Sequence, residues 1–400
     1  MAAVTRSPVA PPHQRAGRRG SILLLLWGAG EQGFWYDPAD LSTQFQDSLG
    51  TTPVTAVGQA VGLVLDKHLG LTRGPQKIVN GGFDTADLSA WTFTNCTGAV
   101  VNGQLVVTAN GVGNAQASHS ANAVGGTSAD VYEAVYDLIS ASRSVNVTCV
   151  ATNVIGSVGT GKKFLATRGG STPLSFLMPG ALNGETFVVD NLSVMQIFGN
   201  HLTQGTTTSR PILQVDANGF MYWSTDGTDD GMATTGNVDF SGTAQMTVWA
   251  GIMKASDVTA AALLELSSTS ATTPGTFGMF APVTAGSGNY QWRSGGTTPG
   301  GGAQSAASFP APIFNVLTGA SDIAAPSMSL YVNGALAASN SLSQGTGNFA
   351  AQPLNAFKRG NNTIPFNGRT YQLLGRGAAT DAATRARVER FVGSRMGIAL

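Results

Sequence analysis

From about residue 35 onward, apolar and polar residues alternate with a period of two in short runs, and each run ends in Gly, Asn, Asp or Ser. Such alternation places successive side chains on opposite faces of a strand, so it predicts half-buried antiparallel sheet along most of the chain. The strand candidates are Met246 to Met253, Gln104 to Thr108, Ser144 to Thr152, Thr186 to Met195 and Thr370 to Gly375. The sharpest hairpin is Met328 to Ser339. Its Asn333-Gly334 centre suits a two-residue turn in which both positions need positive φ, pairing Val332 with Ala335 and Leu330 with Ala337. One helix is predicted, and it closes the chain. Thr380 suits its N-cap, Asp381 the positive end of its dipole, and Val388, Phe391, Val392 and Met396 form an apolar stripe for a sandwich flank. Arg385, Arg387, Arg390 and Arg395 fall on the solvated side.

Composition sharpens this picture. Gly supplies 52 of 400 residues and charged residues only 11%, against usual shares of about 7% and about 25%. Helical surfaces need Glu, Lys and Arg, whereas short strands joined by Gly, Asn and Asp turns do not. With 22 basic and 22 acidic residues the formal charge is +0, so no field steers the chain to nucleic acid or to an acidic membrane. Sparse charge suits a protein that spends its life inside an assembly, and equally an ordinary soluble protein with a bland surface. At 400 residues the chain has room for two or three domains.

At the N-terminus, Arg15, Arg18 and Arg19 precede the apolar run Ile22 to Trp27. The order is that of a signal peptide, but the run is short for one and far below the ~20 residues that span a bilayer. Residues 1–32 are therefore read as an arm, with Ile22 to Trp27 docking on another subunit; export is the lesser reading. Cys96 and Cys149 are too few for a disulfide framework and lack zinc-site spacing. Cys149 alternates with Val145 and Val147, which favours a buried reduced thiol over a Cys96–Cys149 disulfide.

Turn-rich junctions near Gly70 to Gln76 and Phe198 to His201 divide the chain. The run Gly33-Phe34-Trp35-Tyr36-Asp37-Pro38-Ala39-Asp40, continuing through Gly50-Thr51-Thr52-Pro53 to Asp66-Lys67, resembles the opening of a phage and prophage virion structural family with a concanavalin A-like (laminin G-like) sandwich. That family continues with an Asn-His and then a Ser-Arg-Pro element, which here come only at Asn200-His201 and Ser209-Arg210-Pro211. The stretch Asp226 to Gly231, the Leu330 to Gly334 hairpin and the closing helix follow. The block between, from Asn80-Gly81-Gly82-Phe83-Asp84 and Trp91 to Val189-Asp190-Asn191-Leu192-Ser193-Val194, is similar to a carbohydrate-binding-module-like jelly roll. Together the resemblances imply an all-β protein of two antiparallel β-sandwiches. A discontinuous concanavalin A-like unit (33–75 plus 198–400) would carry an inserted jelly roll (76–197), with one short C-terminal helix.

Motifs that could carry chemistry fail on context. Gly28 to Gly33 matches GxGxxG, but Phe34-Trp35-Tyr36-Asp37-Pro38 opens no helix. Gly156 to Lys162 matches a phosphate loop as far as its lysine, yet Lys163 stands where a magnesium-binding Ser or Thr belongs and a strand follows; a hairpin is the better reading. His13, His68, His119 and His201 are scattered and are given surface or turn roles. No paired-carboxylate array suits a glycoside hydrolase. Asp226, Asp229 and Asp230 form the densest acidic cluster, where a turn role outweighs calcium.

Sugar binding needs exposed aromatic faces. Core packing is the reading for Trp91 and Trp249, while Tyr290 and Trp292, between Gly-rich loops, are the carbohydrate-binding candidates. No metal, cofactor, nucleic acid or membrane insertion is implied. The resemblance implies a non-catalytic virion component, a fibre or surface protein assembled in the bacterial host cytoplasm. Its partners would be other phage virion proteins, further copies of itself and a host surface glycan. The rival from another class is a tail-associated glycan-degrading enzyme.

Overall fold

The computed structural model describes residues 16–111, 113–119, 130–150, 152–167, 172–270 and 272–400. His13 and the first fifteen residues of the expected arm lie outside them. The protein is all-β, built from antiparallel sheets packed face to face.

The larger pair faces an eight-stranded sheet against a nine-stranded one. In the eight-stranded sheet Gln245–Lys254 lies between Asn367–Arg376 and Ile313–Asp322; Gly33–Tyr36 joins its edge by pairing with the last residues of Asn367–Arg376. The nine-stranded sheet runs from Gln44–Phe45 through Leu202–Thr203, Leu354–Ala356 and Ala262–Leu266 to Gln291–Gly295 and Pro299–Gln304. Between them lies the main core, with Trp223, Val248, Leu264, Phe277, Trp292 and Leu330.

Two five-stranded sheets carry their own core, with Trp91, Tyr136, Val147, Phe176 and Phe187. Their strands run from Trp91–Thr94 to Thr186–Ile197. The chain enters and leaves this smaller sandwich at one place: Arg73 bridges Ile197, Gly74 N donates to Gln196 O at 2.8 Å, and Phe198 N donates to Thr72 O at 3.0 Å. A small apolar cluster of Leu63, Leu65, Val131, Leu165 and Ile197 seals the junction.

Several sequence expectations change here. A second helix, α1 (Ala16–Trp27), forms inside the expected arm. Its Ile22, Leu26 and Trp27 face the molecule's own eight-stranded sheet, buried with Trp35, Trp249, Tyr371 and the closing helix α2 (Ala382–Ser394). Trp27 Nε1 donates to Gly375 O at 3.2 Å, and Arg376 Nε donates to Leu26 O at 2.8 Å. Ile22, Leu26 and Trp27 are covered by their own chain, where another subunit was expected, because helical spacing demands cover without naming it, while Leu24 points outward.

The N-cap of α2 is Asp381, whose carboxylate accepts from Thr384 N at 2.8 Å, one residue later than expected. Arg385 and Arg395 leave the solvated side: Arg385 lies over the Tyr331 ring at 3.7 Å, and Arg395 lies over Phe391 at 5.2 Å. In the Asn333-Gly334 hairpin both turn residues have positive φ and Val332 pairs Ala335. A bulge then shifts the register, so Leu330 meets Ala338 instead of Ala337. Gly156 to Lys162 is a crossing and not a hairpin, since Thr152–Gly156 and Gly159–Thr167 belong to different sheets. Both cysteines are buried and free of any disulfide, Cys96 donating its thiol to Gln116 O at 3.2 Å, and burial pushes the Cys149 thiol up to about 12.

Removing the α1 anchor tests its role. Leu26→Ala is expected to cost about 2–5 kcal/mol in urea unfolding; unaltered stability would show that α1 adds nothing to the fold.

Candidate functional site

A densely bonded polar group of the larger sandwich is buried where the resemblance motifs converge. Asp66 is fully buried just after Leu63–Val64, and its carboxylate accepts from Trp35 N (2.9 Å), His68 N (3.0 Å) and Asn200 N (2.8 Å), with His68 Nδ1 at 2.7 Å. Burial alone would raise its pKa, but the His68 imidazole and these donors outweigh it and hold Asp66 below its ordinary value. Its backbone N–H donates to His201 Nδ1 at 3.0 Å, and His201 Nε2 lies 3.0 Å from Ile197 O. Burial depresses His201, so it stays neutral. Beside this group Lys67 Nζ contacts Asp37 at 2.9 Å and Asp40 at 2.8 Å and lies over the Trp35 ring.

These residues missed notice as a group because they are far apart in sequence. His68, His119 and His201 are all buried, against the surface role expected of them, although His68 does sit in a turn, Lys67 to Gly70. The available signal was Asp66-Lys67-His68, three charged or polar residues directly after an apolar strand. Asp66 and His201 are spent mainly on backbone groups, while His68 Nδ1 and Lys67 pair with the carboxylates of Asp66, Asp37 and Asp40; both are structural chemistry.

The sugar-binding candidates are corrected outright. Tyr290 and Trp292 are both 0% exposed. Tyr290 donates its hydroxyl to Asn315 Oδ1 at 2.8 Å and stacks on Phe309, while Trp292 packs on Phe277 and fills the space above Gly319. Two residues apart on one strand, they share a face, and that face is the core. All six tryptophans are buried, Trp91 and Trp249 included, and among the described residues the only aromatic side chain classed as exposed is Phe314, at 41%. A stacking platform for sugar rings is therefore not made from Trp or Tyr.

Asp226, Asp229 and Asp230 do come together, their carboxylate oxygens within 4.8 Å. Two of their bonds are those of a turn, Asp226 Oδ1 accepting from Thr228 N at 2.7 Å and Asp230 Oδ2 from Asp226 N at 3.0 Å, while Asp229 Oδ2 accepts from the distant Ser209 Oγ at 2.6 Å. Burial, with the Asp226 and Asp229 charges, pushes Asp230 up to about 6.

A cavity of about 190 Å³ lies at the junction of the two sandwiches, floored by Phe45, Leu65, Phe164 and Ile197. Its rim carries the Arg73–Glu133 pair (2.8 Å) and Lys163. This is an apolar seam with a charged edge, and it brings together no nucleophile and base.

No protein-family model matches this chain, and no curated protein sequence matches it. Among solved structures it is similar to "Ruminococcus gnavus IT-sialidase CBM40" at 16% identity and a TM-score of 0.31, over 39% of this chain and 92% of that one. The same module bound to alpha2,3 sialyllactose gives 18% identity and a TM-score of 0.30, over 39% of this chain and 91% of that one. The botulinum neurotoxin serotype D binding domain gives 11% and 0.33, over 46% of this chain and 47% of that one. At such scores none of these likenesses bears on what this chain binds.

Two measurements test the Asp66 group. Asp66→Ala strands several buried donors and is expected to cost about 3–5 kcal/mol; a cost within experimental error would remove the group's structural role. The second measurement is pH dependence. Asp66, with a lowered folded pKa, keeps its stabilisation above the unfolded value and loses it only as pH falls through the folded one. His201 resists a proton that the unfolded chain accepts below about 6.5, so stability drops as pH falls from there towards the depressed folded value. Asp230 works in the opposite sense, since its raised pKa lets the folded state gain a proton first. His201→Asn should therefore reduce the fall in melting temperature between about pH 7 and about pH 5, and an unchanged slope would refute the assignment.

Proposed function

We propose that this chain is a non-catalytic structural component of a bacteriophage virion, a fibre or surface protein. The observation that carries the reading is the convergence on Asp66. Gly33 to Lys67 and Asn200-His201, the pieces of the phage structural-family resemblance, lie on either side of the smaller sandwich in sequence and meet around one buried carboxylate. Ser209-Arg210-Pro211 is tied in as well: Arg210 Nε donates to Gln204 O at 3.0 Å, and Ser209 bonds the Asp229 carboxylate. The resemblance thus concerns one structural unit interrupted by another.

A non-catalytic role is supported by what the acids do. Of the acids that cluster, Asp226 and Asp230 bond their own turn and Asp229 accepts from Ser209, while Asp37, Asp66 and Glu265 are fully buried in ion pairs or bonds to backbone. A glycosidase needs two carboxylates flanking a bond in a cleft. The chain would be assembled into particles in the host cytoplasm, alongside other virion proteins and further copies of itself.

Quantitative mass spectrometry of purified particles is expected to find the chain at a fixed copy number per virion; its absence from intact particles would overturn the assignment. Purified protein incubated with host capsule or lipopolysaccharide is expected to release no new reducing ends. Reproducible release would favour the glycan-degrading reading.

A further inference from the structure

The seam between the two sandwiches holds open space that neither core fills. Its cavity of about 190 Å³ has walls from both units: Phe45 and Leu65 from the larger sandwich, Leu165 and Ile197 from the smaller, and Leu71 from the segment that joins them. Leu65, Leu165 and Ile197 are buried, whereas Phe45 and Leu71 are half-buried. Ser42, Pro53, Arg73 and Lys163 also line the cavity and are exposed, so they mark a mouth open to solvent. At one point the two units already touch as closely as they can. Leu165 N donates to Gly50 O at 3.3 Å, and a Cβ on Gly50 would come within 2.5 Å of the Leu165 Cβ. That contact props the walls and keeps the space beside it from closing.

An apolar wall facing a void has no partner atoms on one side and forfeits dispersion contacts. A cavity of roughly 150 Å³ lined by Leu, Ile and Phe stays dry and accepts benzene. The seam therefore has room for one six-membered ring and a short tail.

The mouth adds a charge preference. Lys163 and Leu165, two residues apart on Gly159–Thr167, share one face of their strand, and Leu165 pairs with Glu133 on the neighbouring strand. Glu133 is spent on Arg73, which donates to it from Nε at 2.9 Å and from Nη2 at 3.0 Å. This bidentate pair holds the guanidinium at the mouth and leaves the Arg73 Nη1 donors unspent among the described residues. Lys163 pairs with no carboxylate among the described residues. Two cations and one carboxylate line the cavity, so its mouth carries a positive charge in excess.

We propose that the seam binds a small monocarboxylic acid, its apolar body of about six to eight carbons filling the cavity and its carboxylate meeting Lys163 and the Nη1 donors of Arg73 at the mouth. The body gains the contacts that the walls lack, and the head stays hydrated because both cations are exposed. An occupant would touch both sandwiches at once. The assignment does not depend on the virion reading.

Saturation-transfer NMR of the full chain with phenylacetate tests it, with phenethylamine as a cation on a similar body and acetate as the head alone. Phenylacetate is expected to bind, weakening as salt rises, and to raise the melting temperature. Phenethylamine should bind at least fivefold more weakly, and acetate should show no transfer. Lys163→Gln, at an exposed position, should weaken phenylacetate binding about threefold, the scale of an exposed ion pair, with the melting temperature unchanged. Lys163→Glu, which reverses the charge, should weaken it at least tenfold. Leu71→Trp, which fills the cavity from its half-buried position, should abolish binding; should that variant unfold, the two Lys163 variants still locate the site. No binding of phenylacetate, equal binding of phenethylamine, or binding unmoved by Lys163→Glu would overturn the proposal. Acetate competing as well as phenylacetate would show a bare anion site and overturn it too.

Discussion

One buried carboxylate ties the larger sandwich together. Asp66 would be ruinous to bury alone, since an unpaired carboxylate in an apolar interior protonates or unfolds its surroundings. It is tolerated because the backbone of Trp35, His68 and Asn200 and the ring of His68 all point at it. Those donors come from the opening strand, from the loop that follows Leu63–Val64, and from the segment that re-enters after the smaller sandwich. The carboxylate therefore fixes where the interrupted chain resumes. His201, held neutral by burial, completes the bracket by accepting from the Asp66 N–H, its other ring nitrogen facing Ile197 O at the end of the smaller sandwich's last strand.

The strand Gln245–Lys254 is the apolar counterpart of that polar bracket. Nearly all its residues are buried because both of its faces are covered: Val248, Ala250 and Ile252 face the opposing sheet, while Trp249 and Met253 face α1 and α2. A strand covered on both sides is apolar throughout and loses its alternation. The same need for cover explains α1. A sheet whose outer face carries Trp35, Trp249 and Tyr371 requires a lid, and the first apolar run of the chain supplies it.

Burying every tryptophan has a consequence for the surface. With the indole rings turned inward and charge scarce, the surface is left mainly to small and uncharged polar side chains. Even polar side chains on the outer side of the nine-stranded sheet are packed, as where Gln291 lies across Gly302 and a Cβ there would displace its carboxamide.

Much of the architecture was legible in sequence. Period-two alternation and Asn-Gly turn chemistry are local properties, so the all-β class, the Asn333-Gly334 turn and the closing helix follow from residues within a few positions of one another. The stripe Val388, Val392 and Met396 likewise names its own buried face. What alternation cannot say is which face becomes the inside: Tyr290 and Trp292 share a face by spacing alone, but only the opposing sheet, arriving from elsewhere in the chain, makes that face the core. Ile22 to Trp27 had to be covered, yet whether by a neighbour or by the same chain was settled by the long-range pairing that brings Gly375 beneath Trp27. Asp66 and His201 sit 135 positions apart and mean little singly. Their joint role exists only once the sheet brings them within hydrogen-bond reach, because a hydrogen bond depends on distance in space and not on distance along the chain.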